Sequence, residues 1–220
     1  MVATPIGNPE DLSPRGVRIL KEVTLVAAED TRLARRIFSS YGIHTPLVSL
    51  FEHNEKRRVP ELVRRLERGE TLALVSDAGT PLISDPGYRL VREAVGRGIR
   101  VVPVPGPSAV TAALSVAGLP TDHFVFVGFL PKKAGKRRKE LETLAVLPYT
   151  LVFFESPHRV LRTLREIGEV MGQRPVVLCR ELTKRYEEIL RGTPDSLMET
   201  LEGRQVKGEV TLVVGGKEEP

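Results

Sequence analysis

Three loops contain the residue types that hold small ligands or transfer protons, and each follows a short apolar run. The longest spans residues 76–87 and reads SDAGTPLISDPG. Its glycines and other small residues let the backbone approach a ligand closely, and its carboxylates can accept hydrogen bonds from ribose hydroxyls or an ammonium group. The alternative is a long turn that only connects a strand to a helix, and the local pattern does not separate these two interpretations.

The second loop, residues 103–109, reads PVPGPSA and leads into an alanine-rich segment. A helix that starts beside a Gly-Pro turn has free N–H groups that can hold a polar ligand group. A rigid linker between two domains is the other interpretation, and the two are compatible.

The third loop, residues 153–159, reads FFESPHR. The pattern predicts that Ser156 caps a helix with Pro157 in its first turn, together with His158 and Arg159. Cations in a first turn oppose the helix dipole. We therefore favour phosphate binding over ordinary solvated charge at this loop.

The elements that position these loops alternate along the chain. Apolar residues recur at helical spacing over residues 59–66 and 161–167, and a glycine follows each segment where a C-terminal cap would lie. Strands that alternate with helices indicate an α/β architecture, in which ligands bind at the carboxyl ends of the strands. Eight Val- and Leu-rich runs are predicted to be strands buried on both faces: residues 25–28, 47–51, 71–76, 99–104, 124–129, 150–154, 175–179 and 209–214.

Composition excludes several classes of protein. The 220 residues can bury a sizeable core, and no apolar run reaches the roughly 20 residues that span a bilayer. The N-terminus lacks the pattern of a signal peptide, so we expect a cytoplasmic protein. The single cysteine, Cys179, lies in an apolar run and is predicted to be a buried structural thiol. Phosphate-loop, GxGxxG, CxxC, GxSxG and HExxH motifs are absent, and the scattered histidines predict no metal.

Net charge is +5, and six of the eight residues from 132 to 139 are Lys or Arg. Such a cluster favours a polyanionic partner. It follows the apolar run at 124–129 and precedes a helical stretch, so we expect an exposed loop or helix start. The alternative is an ordinary solvated charge cluster.

Several motifs in this order and spacing resemble the bacterial 16S rRNA (cytidine-2′-O-)-methyltransferases of the tetrapyrrole methylase superfamily. The resemblance covers nearly the whole chain. It implies two α/β domains, residues 1–118 and 119–220, with S-adenosylmethionine in the cleft between them, and a homodimer that methylates small-subunit rRNA. The motifs are VATPIGNPEDLSPRG, AAEDTR, LVSDAGTPLISDPGYRLV, VVPVPGPSAVTAAL, GLPTDHFVFVGFLP and FFESPHR.

The resemblance also implies site residues, motif by motif. Where the superfamily usually has Gly-Asp-Pro, this chain has Gly79-Thr80-Pro81, and Asp77 is expected to take the role of the missing carboxylate. Many members continue beyond VTLVVGG, so RNA affinity is where this chain is expected to differ. The implied cofactor-binding residues are Pro5, Asp77, Gly79, Thr80, Pro81, Ile83, Ser84, Ser108, Ala109, Leu182, Val210 and Thr211.

A ribose hydroxyl is a poor nucleophile, so methylation should use a proton acceptor. Candidates are Asp30, Glu155 and Glu181, each at a predicted strand end, with neutral His158 as an alternative. Our hypothesis is that Asp30 or Glu155 is the base, and the sequence does not choose between them. The cations expected to contact RNA are Arg32, Lys132, Lys133, Lys136, Arg137, Arg138, Arg159 and Lys184.

Two rival functions share this fold. One is a tetrapyrrole (precorrin-type) small-molecule methyltransferase, which would not need the basic run or FFESPHR. The other is a non-catalytic protein that binds RNA or the ribosome. A cofactor titration separates the binding protein from the enzymes, and an acceptor test separates the enzymes from each other.

Overall fold

The computed structural model describes residues 1–217, and the chain divides into two compact α/β units, Met1–Ser108 and Ala109–Pro220. This boundary lies ten residues before the one proposed from the sequence. Helix α5 (Ala109–Ala117) belongs to the second unit. The Arg191 guanidinium explains this, because it donates to the carbonyls of Val116 and Ala117 at the end of α5.

Unit 1 contains a parallel sheet in the order β2-β1-β3, with β1 at Leu25–Ala28, β2 at Leu47–Ser49 and β3 at Leu72–Val75. The N-terminal residues run beside β3, where the Val2 N–H donates to the Leu74 carbonyl at 3.0 Å. The strand predicted at 99–104 is reduced to a single parallel bridge between Val2 and Val104. Prolines on both sides of Val104 supply no N–H groups, so a ladder cannot extend there.

Helices cover both faces of this sheet. One face packs against α1 (Pro14–Glu22) and α2 (Thr31–Ser40). The other packs against α3 (Glu55–Glu67) and α4 (Tyr88–Gly96). Side chains alternate along a strand, and the runs at β1 and β3 are largely buried on both faces, as predicted. The prediction is wrong for residues 47–51, because β2 is only half-buried and the run ends in the exposed Phe51.

Unit 2 contains a five-stranded mixed sheet in the order β4-β5-β8-β6-β7. Strands β4 and β5 are parallel, and the other pairs are antiparallel. Edge strand β7 was not predicted, because its half-exposed sequence EILRG has no apolar run. The free thiol of Cys179 on β6 is buried, as predicted. The strands are β4 Phe124–Phe129, β5 Thr150–Glu155, β6 Val176–Arg180, β7 Glu188–Gly192 and β8 Val210–Val214.

Helices α6 (Ala134–Leu144), α7 (Val160–Met171) and α8 (Pro194–Leu201) complete unit 2. Its core contains Phe153 and Leu178, both fully buried. Within residues 1–217, no helix has both the length and the apolar character needed to cross a membrane.

Candidate functional site

In unit 1, the loops that leave β1 and β3 are joined at the carboxyl edge of the sheet. The Asp30 N–H donates to the Asp77 carboxylate at 2.9 Å. The Asp30 carboxylate in turn accepts from the Arg32 N–H at 2.8 Å and caps α2. Asp77 therefore holds the β1 loop in place, a role that the sequence did not predict.

Three turns of unit 1 are hydrogen-bonded into one structure, which we call the unit 1 cradle (residues 4–5, 76–87 and 106–108). Thr4 and Gly79 exchange two backbone hydrogen bonds of 2.9 and 3.0 Å. The Thr4 hydroxyl donates to the Ser76 carbonyl at 3.2 Å, and the Thr80 hydroxyl donates to the Pro107 carbonyl at 3.1 Å. The structure thus brings together the unit 1 residues that the resemblance assigned to the cofactor.

Backbone strain lies in the loops predicted to bind the cofactor. Leu82 and Ser84 in the cradle have φ angles of 80° and 66°, and Glu181 and Thr183 after β6 have φ angles of 53° and 65°. These are all the non-glycine residues with positive φ in the part of the chain that the structure describes. Such strain is typical of ligand-binding loops.

The predicted cofactor residues differ in exposure. In the cradle, Pro5, Gly79 and Pro81 are buried, whereas Ile83 and Ser84 are exposed. An exposed isoleucine beside carboxylates and hydroxyls suits S-adenosylmethionine, which has both an apolar part and polar ribose and amino-acid parts. The remaining members of the set are half-buried: Asp77, Thr80 and Ser108, with Ala109 at the start of α5.

In unit 2, the ends of β5 and β6 meet the start of β8, since Glu155 and Arg180 both pair with Val210. Val210, Thr211 and Leu182 are buried at this edge. We call this region the unit 2 edge (residues 155–159, 180–184 and 209–211). It contains two of the carboxylates predicted as proton acceptors.

Two further carboxylates in unit 1, Glu29 and Asp85, have raised pKa values. Burial, together with the charges of Asp77 and Asp85, raises the pKa of Glu29 to about 7. Burial raises the pKa of Asp85 to about 6, although a hydrogen bond with Ser76 opposes this. Neither was predicted, and the only signal was that Glu29 directly precedes Asp30 in AAEDTR.

Asp30 has the opposite electrostatic environment. Hydrogen bonds from the Arg32 side chain and backbone hold the pKa of Asp30 well below its usual range. The Arg32 guanidinium lies 2.8 Å from the second carboxylate oxygen. Asp30 is therefore a weak proton acceptor.

Glu155 on β5 is buried and surrounded by donors. Its carboxylate accepts from the Ser156 N–H at 2.7 Å, the Thr163 hydroxyl at 2.5 Å and the Arg159 guanidinium at 3.3 Å. With three donors on it, Glu155 fixes the turn at the end of β5.

The turn after Glu155 corrects one prediction. Helix α7 begins at Val160, Ser156 does not cap it, and His158 is an exposed turn residue outside the helix. A residue before proline is biased away from helical angles, and the Ser156 carbonyl accepts from the Arg159 N–H at 2.9 Å to close a turn. The helix dipole argument for a phosphate site at His158 and Arg159 is therefore wrong.

At the unit 2 edge, Glu181 is paired with Lys184 at 2.9 Å and accepts from the Glu209 N–H at 3.0 Å. Burial alone would raise the pKa of Glu181, but these hydrogen bonds lower it below its usual value. Glu181 is thus also a weak proton acceptor, and Lys184 is already neutralised by carboxylates.

The basic run forms the start of α6. Arg137 is buried, with 1% of its side chain exposed, pairs with Glu166 and donates to the Pro131 and Lys132 carbonyls at 3.0 Å. Arg137 therefore holds α6 to α7, and the prediction that it contacts RNA is wrong because its side chain is buried. Arg138 is exposed and pairs with Glu142 and Glu169.

The lysines predicted to contact RNA in this run, Lys132, Lys133 and Lys136, are exposed. None makes an ion pair within residues 1–217. Arg32 is also exposed, whereas Arg159 is mostly covered and donates to the Leu130 carbonyl at 2.9 Å. Of the predicted cations, the three lysines are therefore the best placed to meet a polyanion.

Residues 1–197 match the family of Tetrapyrrole (Corrin/Porphyrin) Methylases. The chain belongs to this family. A solved structure of similar fold is a diphthine synthase, with a TM-score of 0.75 at 15% identity over 100% of this chain and 90% of that one.

Closer relatives have a more specific name. Ribosomal RNA small subunit methyltransferase I of Pseudomonas aeruginosa is 51% identical over 100% of this chain and 79% of its own length. The protein of the same name from Thermotoga maritima is 46% identical over 99% of this chain and 98% of its own length.

Proposed function

We propose that this chain is an S-adenosylmethionine-dependent methyltransferase that methylates the ribose 2′-hydroxyl of a cytidine in 16S rRNA of the small ribosomal subunit. The observation that carries the proposal is the 46% to 51% identity, along almost the whole chain, to proteins named ribosomal RNA small subunit methyltransferase I. The cradle and its strained loop support it, because hydrogen-bonded turns that present both polar and apolar side chains suit a small polar ligand.

S-adenosylmethionine, when bound, supplies a methyl group that is activated by its sulfonium. In unit 1, the exposed Ile83 side chain and the half-buried Asp77 and Thr80 would hold it. The contribution of Leu182, Val210 and Thr211 stays a prediction from the resemblance. The chain accelerates such a displacement mainly by fixing the acceptor oxygen about 3 Å from the methyl carbon and in line with it.

The ribose hydroxyl must lose its proton as it is methylated. Glu29 is a better acceptor than Asp30, because the pKa of Glu29 is raised to about 7 and lies near the working pH, whereas the pKa of Asp30 is lowered. Glu155 is buried, and its carboxylate already accepts three hydrogen bonds. Asp30 acts instead through Arg32, which it holds at the same edge of the sheet. Arg32 is exposed there, and the remaining N–H groups of its guanidinium could donate to a phosphate of the substrate while Asp30 holds it.

The exposed lysines Lys132, Lys133 and Lys136 give the protein a second, sequence-independent hold on RNA. If they bind phosphates, replacing all three by alanine weakens RNA binding for every sequence and flattens its salt dependence. An unchanged salt slope would remove this run from the interface.

The function is tested by methyl transfer from labelled S-adenosylmethionine to three acceptors: small subunits lacking the modification, free 16S rRNA and a precorrin. The proposal predicts label in 2′-O-methylcytidine from one of the RNA acceptors. Label only in the precorrin would establish the small-molecule function. Cofactor binding without transfer to any RNA acceptor would contradict the proposal.

We also propose that the protein acts in the cytoplasm as a homodimer, as the family resemblance implies. Light scattering should then give a mass twice the 24.3 kDa of one chain. A mass of one chain at micromolar concentration would contradict the dimer and leave the methylation proposal intact.

A further inference from the structure

An exposed pair of aromatic rings lies on the turn that follows β2. The Phe51 and His53 ring centroids are 6.4 Å apart, and their planes are nearly perpendicular at 85°. Phe51 is 39% exposed, and His53 is also exposed. A partner ring that stacked on Phe51 would bury apolar area that water now covers.

The turn holds this pair rigidly. The Asn54 carboxamide accepts from the Phe51 N–H at 2.9 Å and donates to the Ser49 carbonyl at 3.2 Å. The Asn54 N–H donates to the Phe51 carbonyl at 2.9 Å. The ring of Phe51 is therefore presented by a fixed backbone, which reduces the entropic cost when a partner stacks on it.

The aromatic pair lies at the same edge of the sheet as the proposed proton acceptor. Ala28 at the end of β1 is paired with Ser49 at the end of β2, and the Leu50 N–H donates to the Ala28 carbonyl at 2.8 Å. The loop of Glu29 and the turn of Phe51 thus leave the sheet side by side. Helices α2 and α3 both begin at this edge.

The first two turns of these helices carry four exposed cations without an ion-pair partner among the described residues. Lys56 and Arg57 on α3, and Arg35 and Arg36 on α2, are exposed and form no ion pair within residues 1–217. By contrast, the next arginine on α3, Arg58, pairs with a glutamate at 2.8 Å. The exposed Glu52 on the aromatic turn offsets only one of the four charges.

We infer that Phe51 and His53 form a stacking platform for an unpaired base of the RNA substrate, and that Lys56 and Arg57 hold the adjoining phosphates. Exposed aromatic rings beside a basic surface are the usual means of holding single-stranded RNA. Arg35 and Arg36 extend the basic surface along α2. The inference rests on the proposed function, since it specifies how this edge of unit 1 would grip that substrate.

Stacking and charge leave different signatures in RNA affinity, which we would measure against salt with unmodified 16S rRNA and small subunits. Phe51→Ala should lower affinity roughly 5- to 150-fold, as the removal of one stacking partner does, with the salt slope unchanged. The double variant Lys56→Ala/Arg57→Ala should reduce the slope of log affinity against log salt by about 0.7 for each phosphate that is no longer neutralised.

The chain offers matched controls. Tyr149 is 40% exposed and stacks on His123 at 5.5 Å, but these residues precede β5 and β4 in unit 2. The inference assigns no base to this second pair, so Tyr149→Ala should lower RNA affinity much less than Phe51→Ala. Arg64 and Arg68 lie at the other end of α3, so Arg64→Ala/Arg68→Ala removes the same charge without the same effect on the slope.

Phe51→Leu and Phe51→Tyr guard against misfolding. Both keep a large side chain, but only tyrosine can stack, so affinity should fall for leucine and persist for tyrosine. Normal affinity in both Phe51→Ala and Lys56→Ala/Arg57→Ala, while the wild type methylates RNA, would overturn the inference and leave the function standing. Weakened RNA binding in these variants, with no methylated cytidine from the wild type, would overturn the function and keep the surface.

Discussion

Glu29 provides a test of the electrostatics at the carboxyl edge of the unit 1 sheet, independent of any substrate. The substitution is Glu29→Gln, which keeps the shape of the side chain and removes its charge. Burial and the neighbouring carboxylates raise the pKa of Glu29 from 4.5 to about 7. Its ionised form is therefore disfavoured in the folded protein, and removing the charge should stabilise the fold.

The size and pH range follow from this shift. The full shift is equivalent to about 3 kcal/mol at 1.36 kcal/mol per pKa unit, and solvent screening of this half-buried group reduces it to about 1 to 2 kcal/mol. Because the folded-state pKa is raised, the charge costs nothing well below pH 4.5, and the cost grows as pH rises to about 7. Glu29→Gln should thus stabilise the protein by about 1 to 2 kcal/mol at pH 8 and by much less at pH 5.

The free energy of unfolding of both proteins is measured by urea denaturation at pH 5 and pH 8. Circular dichroism is the signal, because the chain has no tryptophan to report unfolding by fluorescence. Glu10→Gln is the control, because Glu10 is exposed and should change stability little at either pH. A Glu29→Gln variant that is destabilised at pH 8, or shifted equally at both pH values, would refute the electrostatic reasoning.

Three further predictions concern the proton acceptor, the basic run and the cradle. If Glu29 accepts the ribose proton, the single-turnover methylation rate of the wild type should rise with pH up to about 7. The Glu29→Gln variant should methylate roughly 100-fold more slowly or worse, and its rate should no longer rise with pH. A normal methylation rate in the variant would show that Glu29 is not the proton acceptor. Arg137→Ala should destabilise unit 2 by about 1 to 3 kcal/mol, because Glu166 loses one of its two arginine partners. Arg137→Met should cost less, and wild-type unfolding midpoints in both variants would show that the pair is unimportant. Gly79→Ala should lower the free energy of unfolding by about 1 to 2 kcal/mol, because the φ angle of 77° at Gly79 disfavours any side chain. Calorimetry should also show weaker binding of S-adenosylmethionine. Unchanged binding would show that the cradle does not hold the cofactor.

The strands were largely predictable because most of them are continuous apolar runs, even where the strand is only partly buried, as β4 is. Residues 25–28 and 124–129 form strands with the predicted bounds. The run at 99–104 does not form a strand, since Pro103 within it and Pro105 directly after it cannot donate to a ladder. Strand β7 was missed for the opposite reason: it exists without an apolar run, because an edge strand can be half-exposed.

The candidate site was predictable only at the level of loops. Composition singled out the cradle loop, but the roles of its side chains depend on contacts distant in sequence. The Asp77 carboxylate accepts a hydrogen bond from the Asp30 N–H. Arg137 pairs with Glu166, which follows 29 residues later in the chain. Nothing in the local pattern of AAEDTR distinguishes Glu29, whose pKa depends on two aspartates from another loop.

The most direct test of the central proposal is mass mapping of 16S rRNA from a host that lacks its own cytidine 2′-O-methylation, with and without this chain expressed. We predict that one cytidine-containing fragment becomes one methyl group heavier, with the methyl on the ribose, and that Glu29→Gln leaves it largely unmodified. Identical 16S rRNA fragments with and without the wild-type protein, under conditions where it binds S-adenosylmethionine, would contradict the account.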